Sequence, residues 1–278
     1  RWPFRGFWLQ GLEPDGLVET SDAIFVATGS KPTVQAGQWV RVSGKVVEWA
    51  LPKRWHSTLT VTTIRLADIK IVDPNRGLPE AVSLTLSDIP STVPRRPLGE
   101  AFSRTASALD FWESLEGMRV SVPSVSVVGP SNRFGDAWVV DSGGAAMLSG
   151  RGALTAKKGV WQRLLIDWRL LSGKAPTLPV GARLTSPLVG VVNYAFGNYR
   201  IHLTERPTIV AAKSVQPQSL QRPPLHDGLS LATYNVQNLS LTDKSARFAP
   251  IALDIVQRLM SPDVLVLQEV QDDSGRRN

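Results

Sequence analysis

Two apolar runs near the C-terminal end constrain this chain most. LSLATYNVQNL occupies 229–239 and PDVLVLQEVQDD occupies 262–273. Between them Phe248, Ile251, Ala252, Ile255, Val256 and Leu259 recur at the spacing of one helix face. Ser261-Pro262 would stop that helix, because proline cannot extend the backbone hydrogen-bond ladder. Strand, helix and strand in so short a stretch predict a βαβ unit with parallel strands buried on both faces. Two strands alone make an incomplete sheet, so the pattern requires others beside them.

The residues before this unit read differently. Gly6–Gln10, Ala23–Ala27 and the stretches 39–49 and 58–71 are rich in Val, Ile, Thr and aromatics, with Gly and Pro between them. Val40, Val42, Gly44 and Val46 fall on one face and Arg41, Ser43 and Lys45 on the other, as in a half-buried antiparallel strand. A Pro-rich joint at 90–97 follows. In ALDFWESLEGMRV, Leu109, Trp112 and Leu115 lie at helical spacing and Gly117 is placed to cap the helix. Strands are expected again at 118–128, 137–141, 163–168, 182–194 and 199–204. The Gly- and Ala-rich stretch 142–159 reads as a loop, and 214–228, with Pro217, Pro223 and Pro224, as a linker.

The expected fold class is therefore mainly β: two OB-like barrels followed by an incomplete α/β domain. The divisions are 1–97, a barrel short of its first strand; 98–213, a second barrel with a leading helix; the 214–228 linker; and 229–278, the βαβ segment.

Composition narrows the chemistry. The 278 residues contain no cysteine, which excludes thiol catalysis, disulfides and thiolate metal sites. No apolar run approaches the roughly 18 residues of a membrane helix. The net charge of +7 suits a phosphate-rich partner. Most of the excess lies in 101–228, with 14 Lys/Arg against 8 Asp/Glu. No paired-histidine metal motif, nucleophile elbow or phosphate-binding glycine loop is present.

ATYNVQNL, the helix and PDVLVLQEVQDDSG together resemble the opening of the endonuclease/exonuclease/phosphatase superfamily, the deoxyribonuclease I-like fold. ALDFWESLEGMRV, VVGPSNRFGDAWVV and GVVNYAFGNYRIHL resemble segments that precede that domain in secreted bacterial nucleases. The resemblance implies a Mg²⁺-dependent hydrolase of DNA phosphodiester bonds, in which Ca²⁺ or Mn²⁺ can accompany the Mg²⁺. It implies that Glu269 binds the metal and that Asn235 lies beside metal and phosphate. Oxygen ligands suit a hard ion that keeps much of its water. Asn238 is a weaker candidate, better explained as closing the loop after the strand, while Asp272 and Asp273 read equally well as a carboxylate pair or as a charged turn.

In that family a histidine, an Asp–Asn motif and a late Asp–His pair come further along the domain. The chain is therefore expected to be an inactive fragment of an extracellular or periplasmic enzyme. His56, His202 and His226 read as structural or solvated.

The OB-like segments would handle nucleic acid by stacking bases on aromatics within a basic groove. The candidates are Trp55, Tyr199 and Arg200, with Lys157 and Lys158 following phosphates. No protein partner is indicated. The alternatives are a non-enzymatic nucleic-acid-binding module, or a phosphatase or lipid phosphodiesterase of the same superfamily.

Overall fold

The computed structural model describes residues 5–50, 59–92, 101–141, 148–149, 154, 162–212 and 228–272. The chain divides into two compact units, Arg1–Lys213 and Ser214–Asn278.

The first unit contains a four-stranded and a nine-stranded sheet. The smaller sheet is built from β1 (Gly6–Gln10), β2 (Ala23–Ala27), β3 (Trp39–Ala50) and β4 (Thr60–Asp73), in the order β1-β2-β4-β3. β2 and β4 run parallel, while the other two pairs are antiparallel.

The β3–β4 ladder is irregular. Ser43 pairs with Asp68 but Lys45 with Arg65, so Leu66 and Ala67 oppose Gly44 alone. This is a bulge on β4, with Leu66 at φ 53° and 89% exposed. It also breaks the alternation expected along β3. Val40 is buried, but beyond Gly44 the half-buried positions are Val47 and Trp49, and Val46 is 60% exposed.

The larger sheet takes β5 (Val82–Ser83), β6 (Arg119–Val122), β7 (Val125–Val127), β8 (Ala137–Asp141), β9 (Leu164–Asp167), β10 (Arg183–Leu184), β11 (Leu188–Ala195), β12 (Asn198–Leu203) and β13 (Ile209–Val210). Their order is β13-β10-β7-β8-β9-β12-β11-β6-β5. β9–β12 and β5–β6 are parallel, and the remaining pairs are antiparallel. β11 and β12 join through Phe196 and Gly197, both at positive φ (54° and 76°). That backbone matches the twist of the flanking strands.

Helix α1 (Ala108–Glu113) starts at Ser107, whose side chain accepts from the Asp110 amide. The turn after it ends at Gly117, φ +80°, where a Cβ would lie 3.2 Å from that of Ala23. Phe111, Trp112 and Leu115 from this segment join Leu86, Ile166, Leu188 and Ile201 in one core, which also takes in Phe25 and Val61 of the smaller sheet. Burying each such side chain contributes about 1.5–3 kcal/mol.

The second unit consists of β14 (Leu231–Leu239), α2 (Ser245–Leu253), a π-helical segment over Asp254–Arg258, and β15 (Val264–Val270). β14 and β15 are parallel. The burial expected on both faces is not found: Leu231 is 73% exposed and Val270 56%. No residue of α2 is fully buried, and its expected face is covered only partly, at Ile251, Ile255 and Leu259.

Two OB-like barrels followed by an α/β domain do not describe this chain. It is a mainly β, solenoid-like structure with 41% strand and 10% helix. Its strands lie side by side in sheets of nine, four and two strands, most neighbours antiparallel. The physical reason is that alternation specifies a strand and its inward face, but not which strand will pair with it.

Candidate metal and phosphate site

Regular pairing in the second unit runs from Leu231↔Val264 to Asn235↔Gln268, breaks, and resumes at Leu239↔Val270. Asn235 and Glu269 stand at that break. Gln237, Asn238 and Glu269 all occupy the left-handed region, at φ 54°, 58° and 58°. For residues with a Cβ this costs on the order of 1 kcal/mol or more each, so the surroundings must hold them there.

Several of those supports are visible. Asn235 Oδ1 accepts from the Gln237 amide at 2.8 Å, which fixes the side-chain rotamer. Its Nδ2 then donates to Glu269 Oε1 at 2.7 Å. Arg247 Nη2 donates to the carbonyls of Val236 and Gln237, at 3.0 and 2.9 Å, while its Nη1 meets Asp243 at 2.7 Å. Gln271 Nε2 donates to Asn238 Oδ1 at 2.9 Å, so Asn238 closes the loop. The sequence reading missed Arg247 and Gln271; the one available signal for Arg247 was its i,i+4 spacing from Asp243.

Asn235 and Glu269 are both exposed. Together they offer solvent a carboxylate and an amide. Among the described residues no three His, Cys, Asp or Glu side chains come together as a metal-binding group. The donor set therefore fits Mg²⁺ only in its sparse mode, with one carboxylate and the other positions taken by water and phosphate oxygens. Asp272 is exposed two residues beyond β15, and Asp273 lies outside the described residues.

The expected nucleic-acid residues fare differently. Trp55, Lys157 and Lys158 lie outside the described residues, as do His56 and His226. Tyr199 and Arg200 sit on β12, between β9 and β11, and both are buried. Tyr199 stacks on Trp112 at 6.2 Å, packs against Tyr194 at 5.1 Å, and donates its hydroxyl to Glu113. Burial, reinforced by the Glu113 charge, raises its phenol above the usual range. A ring enclosed in this way offers a base no face to stack on.

Arg200 is 2% exposed and pairs with Asp136 at 3.4 Å and Asp167 at 3.3 Å. His202 Nδ1 lies 3.3 Å from the same Asp167, and its Nε2 meets Asn193 at 3.1 Å. Burial lowers the His202 ring below its usual value. Burial alone would raise Asp167, but hydrogen bonds from His202 and Arg169 outweigh it and hold the carboxyl well below its usual range. Buried charges of this kind need such partners. This interior network was hidden in the strand sequences, where a polar residue at an inward position looks like one at an outward position.

No curated protein and no solved structure matches the chain. The resemblance to the endonuclease/exonuclease/phosphatase superfamily does not hold: the domain that does match is a different one, and so mostly β a structure is unlike an α/β nuclease fold. The chain belongs to the family of a domain of unknown function (DUF8508), which matches residues 71–214.

Proposed function

We propose that this chain contributes to a divalent-metal-dependent phosphodiesterase that acts on nucleic acid, DNA being the expected substrate. The observation that carries this reading is the 2.7 Å contact between Asn235 and Glu269 at the break between two parallel strands. Beyond the carboxyl ends of parallel strands, side chains and loop backbone converge without a ladder to complete, which is why ligands collect there. Glu269 would hold the cation through its carboxylate. Asn235, with its oxygen committed to Gln237 and one N–H to Glu269, would aim its remaining amide N–H at a phosphate oxygen. A hard divalent ion bound there would supply charge neutralisation at the phosphoryl oxygens and a more acidic water. The charge of +7 supports a polyanionic substrate. An extracellular or periplasmic setting belongs to the same proposal, and a chain without cysteine needs no redox protection there.

The test is Mg²⁺-dependent hydrolysis of an oligonucleotide and of bis(p-nitrophenyl) phosphate, together with Mn²⁺ binding followed by electron paramagnetic resonance. Glu269→Gln is expected to weaken Mn²⁺ binding at least tenfold, by about 1.4 kcal/mol. Asn235→Ala is expected to lower kcat/KM with a smaller effect on metal affinity. Unchanged Mn²⁺ binding and hydrolysis in both variants would remove the reading. A second reading, a nucleic-acid-binding module without hydrolysis, is favoured by the Arg65–Trp49 pair on the smaller sheet, 6.0 Å from guanidinium carbon to ring centroid. Oligonucleotide binding with no metal-dependent cleavage would decide for it.

A further inference from the structure

We propose that an open groove on the smaller sheet of the first unit binds single-stranded nucleic acid, its backbone held by Arg5, Lys31 and Arg65 and a base set against Trp49. The inference rests on the nucleic-acid reading above and names where the strand would be held, apart from the Asn235–Glu269 pair.

The groove lies between the 28–33 loop and the β4 bulge and encloses about 570 Å³. That falls within the roughly 300–1,000 Å³ range of ligand sites. Its lining includes Arg5, Lys31 and Arg65 and, among the described residues, not one Asp or Glu. All three cations are exposed, so a phosphate can reach each of them. Arg5 uses one N–H on the Gly29 carbonyl, at 3.2 Å, which leaves the rest of its guanidinium for an anion.

The bulge is what places Arg65. With Leu66 and Ala67 set against Gly44 alone, the strand bends and brings Arg65 over the Trp49 ring. Trp49 is half-buried, its indole anchored against the core while it lines the groove. On the opposite wall, Ser30 and Thr33 are exposed hydroxyl residues beside Gly29, at φ +68°. A Cβ at Gly29 would meet nothing within 4 Å, so the backbone there faces open space. Cations without carboxylates select a polyanion. An aromatic within the same groove selects one with flat, unstacked bases, which is single-stranded nucleic acid.

The experiment is fluorescence anisotropy of labelled oligo(dT) against the full chain across a salt series. The variants are Arg5→Gln, Lys31→Gln, Arg65→Gln and Trp49→Leu, each checked by thermal melting. Three phosphate contacts give a slope of log K against log salt of about −2 for a single strand, and each Gln variant should flatten it by about 0.7. Trp49→Leu should weaken binding about tenfold and leave the slope unchanged. A slope unaffected by all three Gln variants, or absence of oligonucleotide binding, overturns the proposal. Equal competition by duplex DNA or by anionic phosphatidylserine vesicles also overturns it, because either would mark a general anion surface. Hydrolysis of bis(p-nitrophenyl) phosphate, too small to need the groove, reports on the phosphodiesterase reading alone.

Discussion

At the residue scale the least expected group is Glu116. It follows α1, and its main-chain carbonyl accepts from Ser21 Oγ at 2.6 Å. Its carboxyl Oε1 accepts from the Thr62 amide at 3.0 Å, while Oε2 has no partner among the described residues. Burial first, and the nearby Glu113 charge second, push its pKa up from 4.5 to about 8, against the opposing pull of the Thr62 amide. The folded chain therefore keeps this proton at pH values where the unfolded chain has released it. Its contribution is fully present below about pH 4.5 and is lost as pH rises through about 8. The amount is on the order of a few kcal/mol. Urea midpoints should fall between about pH 5 and about pH 8, and Glu116→Gln, neutral throughout, should flatten that dependence. An equal fall in the variant would assign it to other groups. Nothing in ESLEGM marks the first glutamate as a surface partner of Tyr199 and the second as buried. By contrast, Asn235 and Glu269 could be placed together from sequence, because both were read at the ends of neighbouring strands.

At the scale of elements, strand spans were far more legible than strand partners. The Val- and Thr-rich stretches coincide with β1 to β4 and with most of the larger sheet, since alternation follows directly from the pleat. Parallel pairing of β2 with β4, and of β9 with β12, follows from no local pattern. Nor does the bulge at Gly44, which a reader of RVSGKVVEW takes for an ordinary strand position. Its glycine is required by close approach: a Cβ there would lie 2.5 Å from Ile64 Cγ2 and 2.7 Å from the Arg65 carbonyl. Gly44→Ala should therefore destabilise the chain by about 1–3 kcal/mol in urea titration. Gly129→Ala, where the nearest atoms lie at an ordinary 3.8 Å, should stay within about 0.5 kcal/mol. Equal effects at the two glycines would show that the bulge has slack. Because the same crowding fixes Arg65, Gly44→Ala should also weaken oligonucleotide binding.

For the whole molecule, the difference between the two units decides what the strand pattern could convey. In the first, long-range pairing closes a shared core with Val120, Val122, Leu188 and Ile201 at no measurable exposure. In the second, among the described residues, an equally apolar sequence forms a two-stranded sheet, with Val264, Val266 and Val270 all at least 42% exposed. Hydrophobicity fixed the strand character of both, and the number of strands available to cover them set their burial. A two-stranded sheet with open faces is marginal in water, while a strand inside a large packed sheet opens only with the global fold. Native-state hydrogen exchange should accordingly find amides of Leu265 and Leu267 exchanging orders of magnitude faster than those of Ile201 and Leu203. The exchange rates of the former should depend little on urea, because local opening exposes little new surface. Comparable protection in the two units would mean that the apolar faces of β14 and β15 are covered in solution. The Asn235–Glu269 pair would then rest on a rigid sheet, and the strain at Gln237, Asn238 and Glu269 would be held without help from a bound ligand. Fast exchange that slows on adding Mn²⁺, in the wild type but not in Glu269→Gln, would instead show the ion ordering the strand ends that bind it.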